Sequence, residues 1–172
     1  CMMFTAATEL GTTQRIEVLL GKSLESPILI LVFINGLMAL GRLYAGPIVH
    51  KLSITKVLLF SAIFSCLGLF LLANKSGAMT FLAAAVFAIG VCYFWPTMLS
   101  FVSEKIPESG ALGLSLMGGA GMLSVSFVLP QMGKLMDSNT TGSELLLLYA
   151  YIPAILIVAF LILHIYVKIK KI

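Results

Sequence analysis

The chain has 172 residues, of which 60% are hydrophobic and 10% charged, and its mean hydropathy is +1.09. Soluble domains carry about 25% charged residues, so this composition excludes a soluble globular fold, and it is far too apolar for a disordered chain. The net charge of +4 does not indicate a nucleic-acid partner, because the 11 Lys and Arg are scattered and cluster only at Lys168, Lys170 and Lys171. A juxtamembrane tail facing anionic lipid accounts for that cluster.

Cys1, Cys66 and Cys92 are odd in number and widely spaced, which gives no disulfide framework. His50 and His164 do not complete a metal-ligand spacing with them. Nothing in the pattern calls for a metal or other cofactor. No paired acid–base or nucleophile constellation lies in the apolar stretches, so an enzyme is not expected.

Residues 1–10 read as the last turns of a membrane helix that begins upstream, with Glu9 near its outer end. Residues 12–26 read as an amphipathic outer segment, with Ile16, Val18, Leu19 and Leu20 able to lie at the interface. Domain organisation is then a short leading piece, 1–26, followed by a transmembrane bundle, 27–172. A bilayer core of about 30 Å needs ~20 mostly apolar residues in a helix. Five stretches qualify: 27–49, 57–73, 78–102, 110–133 and 145–167. They do not alternate as barrel strands would, so the expected fold class is an all-α polytopic membrane bundle.

Each stretch carries features of its own. In the first, Arg42 is the one charge well inside a span, and such charges face a bundle interior or water, or snorkel to the interface. Asn35 lies seven residues earlier on the same helical face. The second and fifth stretches have few polar groups and read as lipid-facing supports. The third contains Tyr93-Phe94-Trp95-Pro96, where Pro96 removes a backbone donor and predicts a kink. Trp95 is either an interfacial belt residue or, with Tyr93, part of an aromatic wall of a solute path. In the fourth, Ala111, Ser115 and Gly119 stand four apart, a spacing that lets helix backbones approach closely. The face they form serves static packing or a sliding contact. Glu9 is a solute or proton ligand, or a cap. Gln131, after Pro130, reads in the same way. His164 is an interfacial histidine or a proton relay.

Lys and Arg counts set the orientation. Arg42, Lys51, Lys56, Lys105, Lys168, Lys170 and Lys171 fall on one side, against Arg15, Lys22, Lys75 and Lys134 on the other. The first side, with the C-terminus, is expected to be cytoplasmic. The Asn74 and Asn139 sequons then fall on outer loops.

The segment from Gly41 to Lys56 resembles the cytoplasmic loop motif of the major facilitator superfamily. Gly46 matches its first glycine and Lys51 its arginine, while His50 and Ser53 depart from the acidic residue and the second glycine. The segment from Ser103 to Gly113 is similar to the loop between helices ten and eleven of that superfamily. The resemblance implies that the chain supplies the end of helix seven and helices eight to twelve, the C-terminal half of a permease. It implies alternating access for a small polar solute, with an N-terminal half as partner, in a cell or inner membrane. Glu9, Asn35, Arg42, Tyr93 and Trp95 become candidate solute ligands. Gly46, Lys51, Pro96, Ala111, Ser115 and Gly119 become packing or gating positions. The aromatic run resembles that of sugar-type permeases. The rival expectation is a polytopic structural or assembly subunit with no solute path.

Overall fold

A computed structural model describes residues 1–20, 27–74, 77–137 and 141–170. The protein is 94% helical, with no strand among the described residues. The elements run α1 (Met2–Ala6), a π turn (Ala7–Gly11), α2 (Thr12–Leu20), α3 (Pro27–Leu43), α4 (Ala45–Lys51), α5 (Ile54–Asn74), α6 (Met79–Cys92), α7 (Phe94–Lys105), a 3-10 turn (Pro107–Ser109), α8 (Gly110–Asp137) and α9 (Gly142–Lys170).

Four helical runs are long and apolar enough to cross a membrane: 54–74, 79–105, 107–135 and 142–169. The protein is an integral membrane helical bundle. The expected first span differs. Its helix ends at Leu43, and Ile28–Leu43 falls short of the length of the other four. The cause is Pro47. It cannot donate to the Leu43 carbonyl four residues back, and the chain turns at Tyr44 (φ −96°, ψ 3°) before α4 begins. Pro96 acts in the same way one span later: the chain turns at Tyr93 (φ −94°, ψ −8°) between α6 and α7. Each break falls three residues before its proline.

The leading segment also departs from expectation. Residues 2–10 are helical as expected, but residues 12–20, instead of an interfacial loop, continue that helical run into the bundle. Ile16, Leu19 and Leu20 are core residues, held by contacts of α2 with α3 and α9. An apolar groove among neighbouring helices buries these side chains more completely than a membrane surface would. Glu9 therefore lies midway along a helical run, not at its end. Residues 21–26, including Lys22, lie outside the described residues, as do Lys75, Asn139 and Lys171. The link expected at 50–56 is mostly helical, with only Leu52 and Ser53 between α4 and α5.

The core is built on α5, which packs against α6 on one side and α9 on the other. The second span, expected to be a lipid-facing support, is exposed along one stripe only. Lys56, Phe60, Ile63, Leu67, Phe70 and Asn74 are exposed, while Leu58, Ser61, Ala62, Ser65 and Leu69 are buried. Two helix backbones approach closely here too. A Cβ on Gly68 would run into the backbone of Phe87, and one on Gly90 into the backbone of Phe64 and Ser65. Two glycines, one on each helix, admit the opposite backbone. The small-residue run of α8 does not pack in this manner. Ala111, Ser115 and Gly119 are exposed, and α8 is the least buried of the four long runs.

Where the start of α5 meets the end of α9, Thr55 Oγ1 and His164 Nδ1 are 2.7 Å apart, a hydrogen bond between buried Thr55 and the last helix. At the other end α9 opens with a capping box. The Thr141 N–H donates to Glu144 Oε2 at 2.9 Å, and the Glu144 N–H to Thr141 Oγ1 at 3.4 Å. Gly142 sits against the Leu19 carbonyl, where a Cβ has no room. That contact fixes the start of α9 on the end of α2.

Candidate functional site

The leading helix is threonine-rich, and its hydroxyls bond back to the backbone. Thr5 Oγ1 donates to the Met2 carbonyl (2.8 Å), Thr8 Oγ1 to Phe4 (2.9 Å) and Thr13 Oγ1 to Glu9 (2.7 Å). Such back-bonding competes with the regular ladder and bends helices. Here the run widens into a π turn over Ala7–Gly11, a form that often accompanies functional sites. Glu9 sits in that turn with its side chain 4% exposed.

Arg42 meets it from the last turn of α3. One guanidinium nitrogen, Nη2, donates to Glu9 Oε1 at 2.7 Å. Its Nε donates to the Cys92 carbonyl at 3.4 Å. This carbonyl is the one that would receive an N–H from position 96, where proline has none to give. The charge at Arg42 is thus shared between a carboxylate and a backbone acceptor freed by a helix break. The guanidinium side chain is 43% exposed within this chain, so the pair is closed on the Glu9 side and open on the Arg42 side. Gly41 makes the approach possible: a Cβ there would lie 3.0 Å from Cys92 Sγ and 3.7 Å from the Tyr93 hydroxyl.

Three buried polar atoms have no hydrogen-bond partner among the described residues: Glu9 Oε2, Thr12 Oγ1 and Thr97 Oγ1. Polar atoms in such positions are uncommon and costly. One carboxylate oxygen of the pair is therefore satisfied and the other is available to a proton or a polar guest. No group of three or more His, Cys, Asp or Glu that could hold a metal occurs among the described residues.

The structure brings together some of the residues expected at a site and separates others. Glu9 and Arg42 form the ion pair, and Tyr93 stands at the adjacent break. Asn35 is exposed on α3 and donates to the Leu31 carbonyl at 2.8 Å. Trp95 points elsewhere. A Cβ on Gly121 of α8 would lie 2.9 Å from its Cη2 and 3.4 Å from Ala6 Cβ, so the indole packs on α8 where α8 meets α1. Tyr93 and Trp95 do not form one aromatic wall. Gly46 has open space around it and Lys51 closes α4. Gln131 is exposed on α8.

Sequence reasoning missed the Cys92 carbonyl, Thr12 and Thr97. Pro96 was the available signal for the first. The run of threonines at 5, 8, 12 and 13 was the signal for a disturbed helix around Glu9. Comparison with protein-family models, with curated proteins and with solved structures finds no match to this chain.

Proposed function

We propose that the chain forms one half of a secondary transporter of the major facilitator type, moving a small polar solute by alternating access against an N-terminal half. The observation that supports this reading is the Glu9–Arg42 pair. It joins a π turn to a broken helix inside an apolar bundle, with the Glu9 carboxylate buried and the Arg42 guanidinium partly open. An ion pair at this depth costs desolvation that a purely supporting bundle would avoid with apolar residues. Irregular backbone within membrane bundles characteristically lines solute sites.

In this mechanism Arg42 divides its donors between Glu9, the Cys92 carbonyl and the hydroxyls of a solute. Protonation of Glu9 removes the charge that holds Arg42. The guanidinium then turns to the solute, and the α6–α7 break changes angle with it. The exposed Ala111, Ser115 and Gly119 face of α8 supplies the surface on which the other half slides. The Lys-rich side, with the C-terminus, faces the cytoplasm.

The test is expression of this chain together with the segment encoded immediately upstream, reconstitution in proteoliposomes, and uptake of a panel of radiolabelled sugars under an imposed proton gradient. Saturable uptake that collapses in Glu9→Gln is the expected result. Solute movement by neither the chain with its upstream segment nor the chain alone overturns the reading.

A further inference from the structure

A second feature lies on the outside of the bundle, away from the ion pair. A slot of about 420 Å³ opens between α4, α5 and α6, a size typical of small-ligand pockets. Its walls are pairs of residues four apart, which places each pair on one helical face. Ile48 and Leu52 come from α4 and its end, Lys56 and Phe60 from α5, and Ile89 and Tyr93 from α6 and its break. The lining is mostly apolar, with Ser61 and the Tyr93 hydroxyl as its neutral polar groups and Lys56 as its charge.

The slot opens on the outside of the bundle. Lys56 and Phe60 begin the exposed stripe of α5 that continues through Ile63, Leu67 and Phe70. Everything on that stripe between Lys56 and Asn74 is apolar, the character of a surface that suits acyl chains. Lys56 sits in the first turn of α5, at the end of the stripe, where its ammonium reaches the headgroup level while its stem lies along apolar surface.

We propose that this slot is a binding site for one anionic phospholipid, with an acyl chain between Phe60, Ile48 and Ile89 and the headgroup phosphate on Lys56. Charge complementarity selects the occupant. A lysine at the mouth of a largely apolar slot matches a phosphodiester joined to a hydrocarbon tail, and basic pockets between membrane helices recognise such headgroups. Tyr93, at the α6–α7 break, lines the slot, and the same break presents the Cys92 carbonyl to Arg42. A lipid seated here would touch the element that holds the ion pair. The binding proposal itself rests only on the membrane-spanning fold, and its test does not depend on transport.

The experiment is native mass spectrometry of the purified full chain after exchange into detergent containing phosphatidylglycerol or phosphatidylcholine at equal concentration. The expected result is retention of one phosphatidylglycerol at least fivefold above phosphatidylcholine. Lys56→Gln should remove the preference and Lys56→Arg should keep it. Ile89→Trp, at an exposed position, should fill the slot and remove retention altogether. Leu82→Trp, two turns away on an equally exposed part of α6, should leave retention unchanged. Equal retention of the two lipids by the wild-type chain overturns the proposal, as does a preference that survives both Lys56→Gln and Ile89→Trp.

Discussion

The guanidinium of Arg42 donates to the carbonyl of Cys92, the acceptor that Pro96 leaves without a helical partner. A residue fifty positions earlier in the chain thereby supplies the hydrogen bond missing from the α6–α7 helix. The same guanidinium holds Glu9 at 2.7 Å. One side chain ties the leading helix, the third helix and a broken helix together.

Pro96→Ala should undo this arrangement. Alanine restores an N–H four residues after Cys92, and it is about 3 kcal/mol more favourable than proline within a helix. The carbonyl is then satisfied within the helix, and Arg42 loses one of its two acceptors. We expect a melting temperature equal to or above wild type, together with reduced solute uptake. Wild-type uptake alongside a raised melting temperature would show that the break serves no functional end.

Glycine substitutions should sort by contact rather than by sequence motif. Gly68→Ala and Gly90→Ala each place a methyl against backbone of the opposite helix. Backbone cannot rotate away, so each should cost at least the 1–3 kcal/mol typical of overpacking. Gly118→Ala and Gly119→Ala meet nothing within 4 Å and gain helix propensity of about 1 kcal/mol. Unfolding by titration with a strong detergent measures all four. A destabilised Gly119→Ala in this chain alone, with unaffected Gly90→Ala, would contradict the packing.

Much of this bundle was legible in the sequence. Four apolar runs and their order follow from composition, because lipid admits little else. The two helix breaks were half legible: Pro96 announced one, whereas Pro47 stood inside a run apolar enough to read as continuous. The leading segment was misread because Glu9, Arg15 and Glu17 make it polar by average. Its burial depends on Ile16, Leu19 and Leu20 meeting α3 and α9, which no local pattern encodes. The ion pair was invisible as a pair. Arg42 stood out as a charge inside a span and Glu9 as a charge near the outer end of a helix, but only the tertiary fold decides that the two meet. The small-residue run of α8 drew attention through its density. The actual close approach used two isolated glycines, Gly68 and Gly90, because a single missing Cβ suffices where backbones cross.

Trp95 offers an optical check, since it is the only tryptophan in the chain. Its indole rests on Gly121 of α8. Gly121→Val should push the ring off α8 and shift its emission, while Gly133→Val, in open space on the same helix, should not. Identical emission maxima for the two variants would place the indole against lipid instead of against α8. Trp95→Phe should lower stability more than it alters solute affinity, because the ring is a packing wedge.

The ion pair itself predicts an asymmetry. Arg42→Gln leaves the Glu9 carboxylate buried without a countercharge, and removing one partner of a buried pair costs about 3–5 kcal/mol. The open side of Arg42, with 43% of its side chain exposed, places the expected loss near the lower end of that range. Glu9→Gln leaves a guanidinium that can turn to water while keeping the Cys92 carbonyl, so it should cost less. The double variant removes both charges and should recover most of the stability lost in Arg42→Gln, with a coupling between the sites of about 1–3 kcal/mol. Lowering the pH should narrow the gap between Arg42→Gln and wild type, because a protonated Glu9 needs no countercharge. Detergent-titration midpoints of the four proteins at neutral and acidic pH measure every one of these terms. Uptake separates structure from mechanism: a double variant that is stable yet inactive assigns the pair to the transport cycle. Additive stability losses with no coupling would mean that Glu9 and Arg42 do not hold each other in the membrane.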